Sequence, residues 1–358
     1  MTLAPRDSIL RLVAPHHVLS LCLLCASCAR SPDAPPERPD FRWPVRDLTW
    51  LGFDDDGGAP EPETSPDLAA PVAKGSGPPY PIVLVHGMAG FKNIGPLEYF
   101  CGIPEALRGA GHDVYVSKAD PINDSEVRGQ QVLAFVQGVL AQTGKAKVNL
   151  IGHSQGGFDV RYVASAIGGQ VGAVVTIAAP MGGDPLADMA LGAGQPANDA
   201  IDALLFLYGA AMGFDSDARA SITQLSTPAA AAFFAKHPDD PRVAYFSIAG
   251  RSEKAGNEGD CVNPDAPTFI SRWDFDVDPL NPIFLVSAAL LDGLNPKPIH
   301  DGLVPVASAK HGTFLGCIPA DHMDEVHQLF CTGPGLGNHF DAVAFYQDLA
   351  RWLVAHGY

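Results

Sequence analysis

The strongest constraint on the fold lies at residues 147–157, where a short apolar strand leads into Gly152-His153-Ser154-Gln155-Gly156. A helical pattern of apolar residues follows directly, at Val160, Tyr162, Val163 and Ile167. A serine between two glycines on a tight strand-to-helix turn exposes its hydroxyl at the carboxyl end of a sheet. The amide of the next residue then points at an oxyanion formed on attack. The pattern predicts that Ser154 is a nucleophile; the alternative is a glycine-rich turn with an incidental serine.

The rest of the chain alternates apolar runs with helical patterns. The apolar runs cover residues 82–85, 113–116, 171–177 and 243–248, and helical patterns lie around 103–108, 125–142 and after Ser154. Continuous apolar runs are typical of parallel strands buried on both faces. The alternation predicts an α/β fold, a mostly parallel sheet with helices on both faces. Residues from about 185 to 235 are rich in Ala and Leu, which predicts either a helical cap over the active site or ordinary core helices.

Composition limits the class of partner. The chain has 358 residues, 47% hydrophobic and 18% charged, enough for one large α/β domain. Its formal net charge of -17 argues against nucleic acid as a partner. The charge is compatible with a neutral substrate and with a divalent cation. After the N-terminus the sequence contains no apolar stretch long enough for a membrane span.

The first 79 residues have the composition of an export signal and a tether. Residues 1–28 combine two arginines with a short apolar core and small residues, which predicts a signal peptide. The run Cys25-Ala26-Ser27-Cys28 resembles a lipobox, in which Cys28 would be lipidated; conventional cleavage near Ser27 or Ala29 is the alternative. Residues 29–79 are rich in proline and predict a tether to a catalytic domain at 80–358. We therefore expect an exported protein, secreted or lipid-anchored at the cell envelope.

A serine nucleophile needs a base and a carboxylate that orients the base. Asp301, beside Gly302 at a turn, is the best candidate for the carboxylate, and Asp292 is the rival. His322 and His339 compete as the base, and the position of His339 just before the last helix slightly favours it.

The oxyanion hole needs two amide donors, for which the sequence offers Gln155 and Met88. Met88 follows His86-Gly87 in the loop after the first strand, and we expect the His86 side chain to order that loop.

Several segments together resemble the bacterial true lipases of the Pseudomonas and Burkholderia type, members of the α/β-hydrolase superfamily. The matching segments run in order from Tyr80 to the C-terminus: Tyr80-Pro81-Ile82-Val83-Leu84-Val85-His86-Gly87-Met88, Phe100-Cys101-Gly102-Ile103-Pro104-Glu105-Ala106-Leu107, Ser125-Glu126-Val127-Arg128-Gly129, Val148-Asn149-Leu150-Ile151-Gly152-His153-Ser154, His300-Asp301-Gly302-Leu303-Val304 and His322-Met323-Asp324-Glu325-Val326. The segment 185–299 matches only loosely.

The resemblance implies a triacylglycerol lipase that acts at a lipid–water interface. Its motifs make His322 the base in place of His339, Asp301 the orienting carboxylate, and the Met88 and Gln155 amides the oxyanion donors. The alternatives are a short-chain carboxylesterase or phospholipase and, from another class, an inactive hydrolase-like surface binding module. The resemblance also suggests a dedicated foldase as a partner.

The resemblance further implies one structural calcium ion that pins the loop bearing the base. Its ligands map to the carboxylates of Asp278 and Asp324 and to the backbone carbonyls of Gln328 and Thr332. Asp276 is the alternative to Asp278. Oxygen ligands of this kind suit a hard cation.

Four cysteines lie outside the signal region, an even number in an exported chain, so two disulfides are expected. The chain lacks cysteine at both positions of the family disulfide. A bridge between Cys261 and Cys317 would brace the same region, which leaves Cys101 with Cys331.

Overall fold

A parallel six-stranded sheet forms the centre of the computed structural model. The described residues are 76–90, 93–94, 97–192, 218–253, 258–328, 331–335 and 337–358. The predicted signal peptide (1–28) and the tether up to residue 75 lie outside these ranges, as does the middle of the predicted cap, residues 193–217.

The sheet has the strand order β4-β1-β5-β6-β7-β8, and all neighbouring strands are parallel. A separate antiparallel pair, β2-β3, follows the first strand. Strands β1, β5 and β6 are buried along their whole length, as expected for strands covered on both faces. The strands are β1 (Ile82–Val85), β2 (Asn93–Ile94), β3 (Leu97–Glu98), β4 (Val114–Val116), β5 (Val148–His153), β6 (Val171–Ile177), β7 (Ala244–Gly250) and β8 (Thr313–Ile318).

Helices cover both faces of the sheet, which confirms the predicted fold class. The helices are α1 (Ile103–Gly109), α2 (Ser125–Thr143), α3 (Gly156–Ile167), α4 (Pro185–Gly192), α5 (Ala218–Leu225), α6 (Thr227–Lys236), α7 (Thr268–Ser271), α8 (Leu285–Asp292), α9 (Val306–Ala309) and α10 (Ala342–Ala355). Helices α2 and α3 pack on one face through an apolar cluster that includes Val136 and Val160. Helices α1 and α10 pack on the other face through a cluster that includes Leu107 and Leu349.

The described parts of the predicted cap are α4, α5 and α6. Phe233 of α6 and Met181 share an apolar cluster with Phe158 at the start of α3. The Ser221 hydroxyl in α5 donates to the Asn123 carbonyl at 2.9 Å, and the side-chain amide of Gln155 donates to the same oxygen at 2.8 Å. Helix α5 therefore lies near Gln155, the residue that follows Ser154, and α6 packs against the start of α3.

Two disulfides join segments that are distant in sequence. As expected, Cys101 is bonded to Cys331 and Cys261 to Cys317. Within the described ranges, no helix combines the length and apolar character needed to cross a membrane.

Candidate active site

Ser154 occupies the turn between β5 and α3 with a left-handed backbone, at φ 55°. Its amide donates to the Ile177 carbonyl at 3.0 Å, so the neighbouring strand holds the turn. A Cβ atom on Gly152 would lie 2.4 Å from the Gly156 oxygen, and one on Gly156 would lie 2.4 Å from the Val85 oxygen. Only glycine fits at these two positions, because backbone atoms that cannot move aside occupy the space.

His322 and Asp301 form a buried pair. Asp301 Oδ2 lies 2.7 Å from His322 Nδ1, and Asp301 Oδ1 accepts the amides of Leu303 and Val304 at 2.8 and 2.6 Å. The exposed fractions of the Asp301 and His322 side chains are 0% and 3%. The carboxylate thus has fixed partners on both oxygens and holds the imidazole with Nε2 available for a second partner.

The imidazole lies next to the serine turn. The ring centroids of His322 and His153 are 4.6 Å apart, and His153 directly precedes Ser154. Among the hydrogen bonds of the described residues, none joins the Ser154 hydroxyl to His322. Ser154 is partly exposed, whereas His153 and Gln155 on either side are buried.

The rival candidates lie elsewhere. His339 has a side chain that is 84% exposed and pairs with Asp276 at 2.8 Å. Asp292 pairs with Lys297 at 2.6 Å and with His300 at 3.2 Å, at the end of α8. Neither His339 nor Asp292 contacts the Asp301–His322 pair in the described residues, and Asp276 faces His339.

Hydrogen bonds hold several backbone groups of the loop after β1. Arg128 donates to the His86 carbonyl at 2.7 Å, and the Ala89 amide donates to the Pro121 carbonyl at 2.6 Å. Within the described residues the amides of Met88 and Gln155 have no protein acceptor. Two unused amides beside a serine turn are the donors that an oxyanion hole requires.

The His86 side chain is fully buried inside this loop. Its Nδ1 lies 2.9 Å from the Gly87 carbonyl, and its Nε2 accepts the Ala119 amide at 3.4 Å. Burial, with the nearby Arg128 charge, lowers the pKa of His86 to about 3. This histidine therefore remains neutral and orders the loop, in line with the role expected from the sequence.

A second set of buried polar groups, for which the sequence predicts no role, lies beside the Asp301–His322 pair. His153 Nε2 is 2.8 Å from Glu325 Oε2, and His153 Nδ1 is 2.7 Å from the Tyr99 hydroxyl. Burial, and then the charge of Asp301, raises the pKa of Glu325 well above its ordinary value. The only sequence signal was a Glu three residues after the candidate base, on the same short turn.

Three buried carboxylates cluster beside the loop that bears His322. Ligand oxygens of Asp278, Asp321 and Asp324 all lie within 4.8 Å of one another. Asp278 is 0% exposed and its Oδ1 has no hydrogen-bond partner in the described residues. Burial and the neighbouring carboxylates raise the pKa of Asp324 to about 9 and that of Asp321 to about 6.

Of this cluster, Asp278 and Asp324 were predicted from the sequence and Asp321 was missed. The available signal for Asp321 was an acidic residue directly before His322. Gln328 donates its side-chain amide to the Tyr99 carbonyl at 2.9 Å, and Thr332 is exposed.

Comparison with known proteins agrees with this geometry. Residues 80–221 match the family model for the alpha/beta hydrolase fold. A triacylglycerol lipase of Vibrio cholerae is 34% identical over 296 residues, which cover 78% of this chain and 88% of that protein. The chain belongs to the bacterial triacylglycerol lipases. The lipase is also 31% identical to the triacylglycerol lipase of Burkholderia plantarii, with 78% of this chain and 87% of that protein covered.

Solved structures share the fold of this lipase. Lipase 1 from Pelosinus fermentans superimposes with a TM-score of 0.51 at 17% identity, over 77% of this chain and 98% of that chain. At this identity the similarity concerns the fold alone.

Proposed function

We propose that this lipase hydrolyses the carboxylic esters of triacylglycerols through an acyl-enzyme formed on Ser154. The observation that carries the proposal is the buried Asp301–His322 pair, whose ring packs beside the strained serine turn. The connections that bear Met88, Ser154, Asp301 and His322 follow the carboxyl ends of β1, β5, β7 and β8, where ligands bind in parallel sheets.

In the first half of the reaction, Ser154 Oγ attacks the ester carbonyl carbon. His322 Nε2 takes the hydroxyl proton, and Asp301 holds the imidazole through Nδ1 and stabilises its positive charge. The carbonyl oxygen becomes an oxyanion that accepts the Met88 and Gln155 amides. When the tetrahedral intermediate collapses, His322 returns the proton to the alkoxide of the leaving diacylglycerol.

In the second half, water replaces the leaving group. His322 takes a proton from the water as its oxygen attacks the acyl carbon, and the same two amides hold the second oxyanion. Collapse releases the fatty acid, and the proton on His322 returns to Ser154 Oγ. One nucleophile, one base and one oxyanion hole thus serve both steps.

An exposed apolar surface on α8 supports a lipid substrate over a small soluble ester. Leu285, Val286 and Leu290 have exposed fractions of 59%, 54% and 42% along one side of this helix. Its other side is buried through Ser287, Ala288 and Leu291. Contiguous exposed apolar side chains mark a surface that meets another apolar phase.

We also propose that Asp278 and Asp324 bind one structural calcium ion, and we add Asp321 as a third acidic ligand. Three buried carboxylates within 4.8 Å repel one another when ionised, and the unpartnered Asp278 Oδ1 needs a cation or a proton. Carboxylate oxygens are the ligands that calcium prefers. The ion would supply no chemistry to the ester; it would pin the loop that carries His322. The carbonyls of Gln328 and Thr332 stay predicted ligands.

Export, by secretion or by a lipid anchor on Cys28, belongs to the same proposal and rests on the composition of residues 1–79. A dedicated foldase is a further expectation, based on the family resemblance.

The decisive experiment measures hydrolysis of a triacylglycerol chain-length series by wild type and by Ser154→Ala. We expect wild type to cleave long-chain substrates and to be labelled by a fluorophosphonate probe. Loss of the nucleophile of a triad costs on the order of a million-fold in turnover, so the variant should show neither activity nor labelling. Its melting temperature should stay close to that of wild type, because Ser154 is partly exposed.

Other outcomes of this experiment select the alternatives. Activity restricted to short acyl chains would indicate a carboxylesterase, and activity on phospholipids in preference to triacylglycerols would indicate a phospholipase. An unlabelled, inactive wild type would indicate a binding module. Near wild-type activity in Ser154→Ala would rule out the proposed mechanism.

A further inference from the structure

The Tyr99 hydroxyl lies at the centre of a buried hydrogen-bond chain that no step of the proposed mechanism uses. The Gly87 amide is 3.1 Å from this hydroxyl, which in turn is 2.7 Å from His153 Nδ1. Tyr99 is 4% exposed and His153 is 1% exposed. Tyr99 directly follows β3, outside the main sheet. The hydrogen bonds therefore join the loop after β1, the residue after β3 and the end of β5.

The hydrogen bonds of this chain are continuous from one backbone amide to one carboxyl group. A backbone amide can only donate, so the Tyr99 oxygen accepts from Gly87, and the Tyr99 hydroxyl is also hydrogen-bonded to His153 Nδ1. The other ring nitrogen of His153, Nε2, is hydrogen-bonded to Glu325 Oε2 at 2.8 Å. The chain therefore runs from the loop after β1 to the turn three residues beyond His322.

Gly87 is the residue of the loop after β1 whose backbone conformation depends most on hydrogen bonds from other segments. A Cβ atom there would lie 2.6 Å from Ser154 Cβ and 2.9 Å from the Tyr99 hydroxyl, so the position requires glycine. Glycine leaves the two torsion angles before Met88 unrestricted by a side chain. The direction of the Met88 amide then depends on how firmly the surrounding peptide units are held.

The peptide unit between His86 and Gly87 is held at both ends. Arg128 donates to the His86 carbonyl at 2.7 Å, and the Gly87 amide of the same unit donates to Tyr99. With Tyr99 absent, the unit would keep only its carbonyl partner and could tilt about that single bond. The next unit contains the Met88 amide, and its Gly87 carbonyl accepts from His86 Nδ1 at 2.9 Å and from the Gly90 amide at 3.2 Å. A tilt of the preceding unit would therefore turn the Met88 amide about this anchored carbonyl.

We propose that Tyr99 is a positioning residue for the oxyanion hole. Its hydroxyl sets the orientation of the Met88 amide through Gly87, and His153 and Glu325 connect that orientation to the loop that bears His322. The inference rests on the proposed roles of Ser154 and Met88.

The test compares wild type with Tyr99→Phe, with rates normalised to the concentration of active sites titrated by a phosphonate. Small misplacement of a catalytic group costs up to about a hundredfold in rate. We expect kcat to fall about 10- to 100-fold while KM stays within about threefold. The inhibition constant of an alkyl boronic acid, whose adduct with Ser154 carries an oxyanion, should rise by a similar factor. Inhibition by a fatty alcohol, which forms no oxyanion, should not change.

Tyr346→Phe is the matched control. Tyr346 is 0% exposed and contacts Phe100, the neighbour of Tyr99, but its hydroxyl has no hydrogen-bond partner in the described residues. The same chemical change at this position should leave kcat and boronic acid affinity near wild-type values. If kcat and boronic acid affinity fell in both variants, the effect of Tyr99→Phe would be one of general packing, which contradicts the inference.

A second pair of variants covers the case in which Tyr99→Phe does not fold. The side chain of His153→Asn keeps a polar atom that can hydrogen-bond to the Tyr99 hydroxyl, whereas the side chain of His153→Leu has none. Boronic acid affinity should therefore fall more in His153→Leu than in His153→Asn.

Wild-type affinity in both Tyr99→Phe and His153→Leu would overturn the inference. Failure of the proposed mechanism itself has a different result: wild type would not be titrated by the phosphonate and Ser154→Ala would remain active.

Discussion

At the scale of single residues, burial separates the two histidines that the sequence offers as base. His322 is 3% exposed with Asp301 at 2.7 Å, whereas the side chain of His339 is 84% exposed beside Asp276. A base needs a partner that fixes its tautomer, and that partner acts most strongly away from water. Geometry therefore favours His322 over His339.

The first prediction tests this choice with two alanine variants. His322→Ala should lose about as much activity as Ser154→Ala, because members of a triad act as a unit. His339→Ala should keep most of the wild-type activity. Initial rates on one triacylglycerol decide between His322 and His339 as the base, with the folding of each variant checked by circular dichroism. Higher activity in His322→Ala than in His339→Ala would contradict the assignment.

His86 provides a second residue-scale prediction, on pH dependence. The folded protein keeps His86 neutral down to about pH 3, whereas an unfolded chain protonates histidine near pH 6.5. Unfolding therefore takes up a proton in this range. The stability contributed by the neutral side chain is present above pH 6.5 and is lost as the pH falls from about 6.5 towards 3, by up to about 1.4 kcal/mol per pH unit.

We expect the melting temperature of His86→Asn to fall less between pH 7 and pH 5 than that of wild type. His356→Asn, at an exposed position after α10, is the control and should follow wild type. Equal pH dependence in all three proteins would show that His86 is protonated in the folded state.

At the scale of elements, glycine determines how closely α2 and α3 approach. A Cβ atom on Gly129 would lie 2.5 Å from Tyr162 Cγ and 2.6 Å from Tyr162 Cβ, atoms near the α3 backbone. Gly138, two and a half turns further along α2, has no atom within 4 Å of such a Cβ. One helix thus contains a glycine required by packing and a glycine that packing does not require.

This contrast predicts opposite effects of the same substitution. Gly129→Ala should destabilise by about 1–3 kcal/mol, because the added methyl group forces α2 away from α3. Gly138→Ala should stabilise by up to about 1 kcal/mol, since alanine has the higher helix propensity. Urea denaturation midpoints measure both, and a shift of the same sign in the two variants would contradict this account of the interface.

At the scale of the whole molecule, the candidate calcium ligands connect two distant segments. Asp278 precedes α8, and Asp321 and Asp324 follow β8 on either side of His322. A cation bound by all three carboxylates would connect the loop that bears His322 to the segment before α8. Binding that occurs only in the native state stabilises it, by roughly 2.7 kcal/mol at a hundredfold excess over Kd.

We therefore predict that a chelator lowers the melting temperature by several degrees and that added calcium restores it. Asp324→Asn should have the lowered melting temperature without chelator. Asp276→Asn is the matched control, because Asp276 pairs with the exposed His339, and it should respond to chelator like wild type. The metal content of the purified protein is measured in parallel, and metal-free protein that is equally stable with and without calcium would exclude the site.

The sequence by itself determined the sheet and the serine turn. Strands β1, β5 and β6 are buried on both faces, so their apolar character is continuous and visible in the chain. The turn at Ser154 is equally local, since its glycines and its left-handed serine lie within five residues. Local signals of this kind need no knowledge of the rest of the chain.

The order of strands and the partners behind the site were decided only by the tertiary structure. Tyr99 meets His153 across 54 residues and His153 meets Glu325 across 172 residues, and no short-range pattern encodes such contacts. In the sequence, Asp321 is likewise indistinguishable from an ordinary loop carboxylate, because its proximity to Asp278 arises only in the folded protein. A single side chain in sequence has a chemical type but no neighbours, and burial, pKa and hydrogen-bond direction all depend on neighbours supplied by folding.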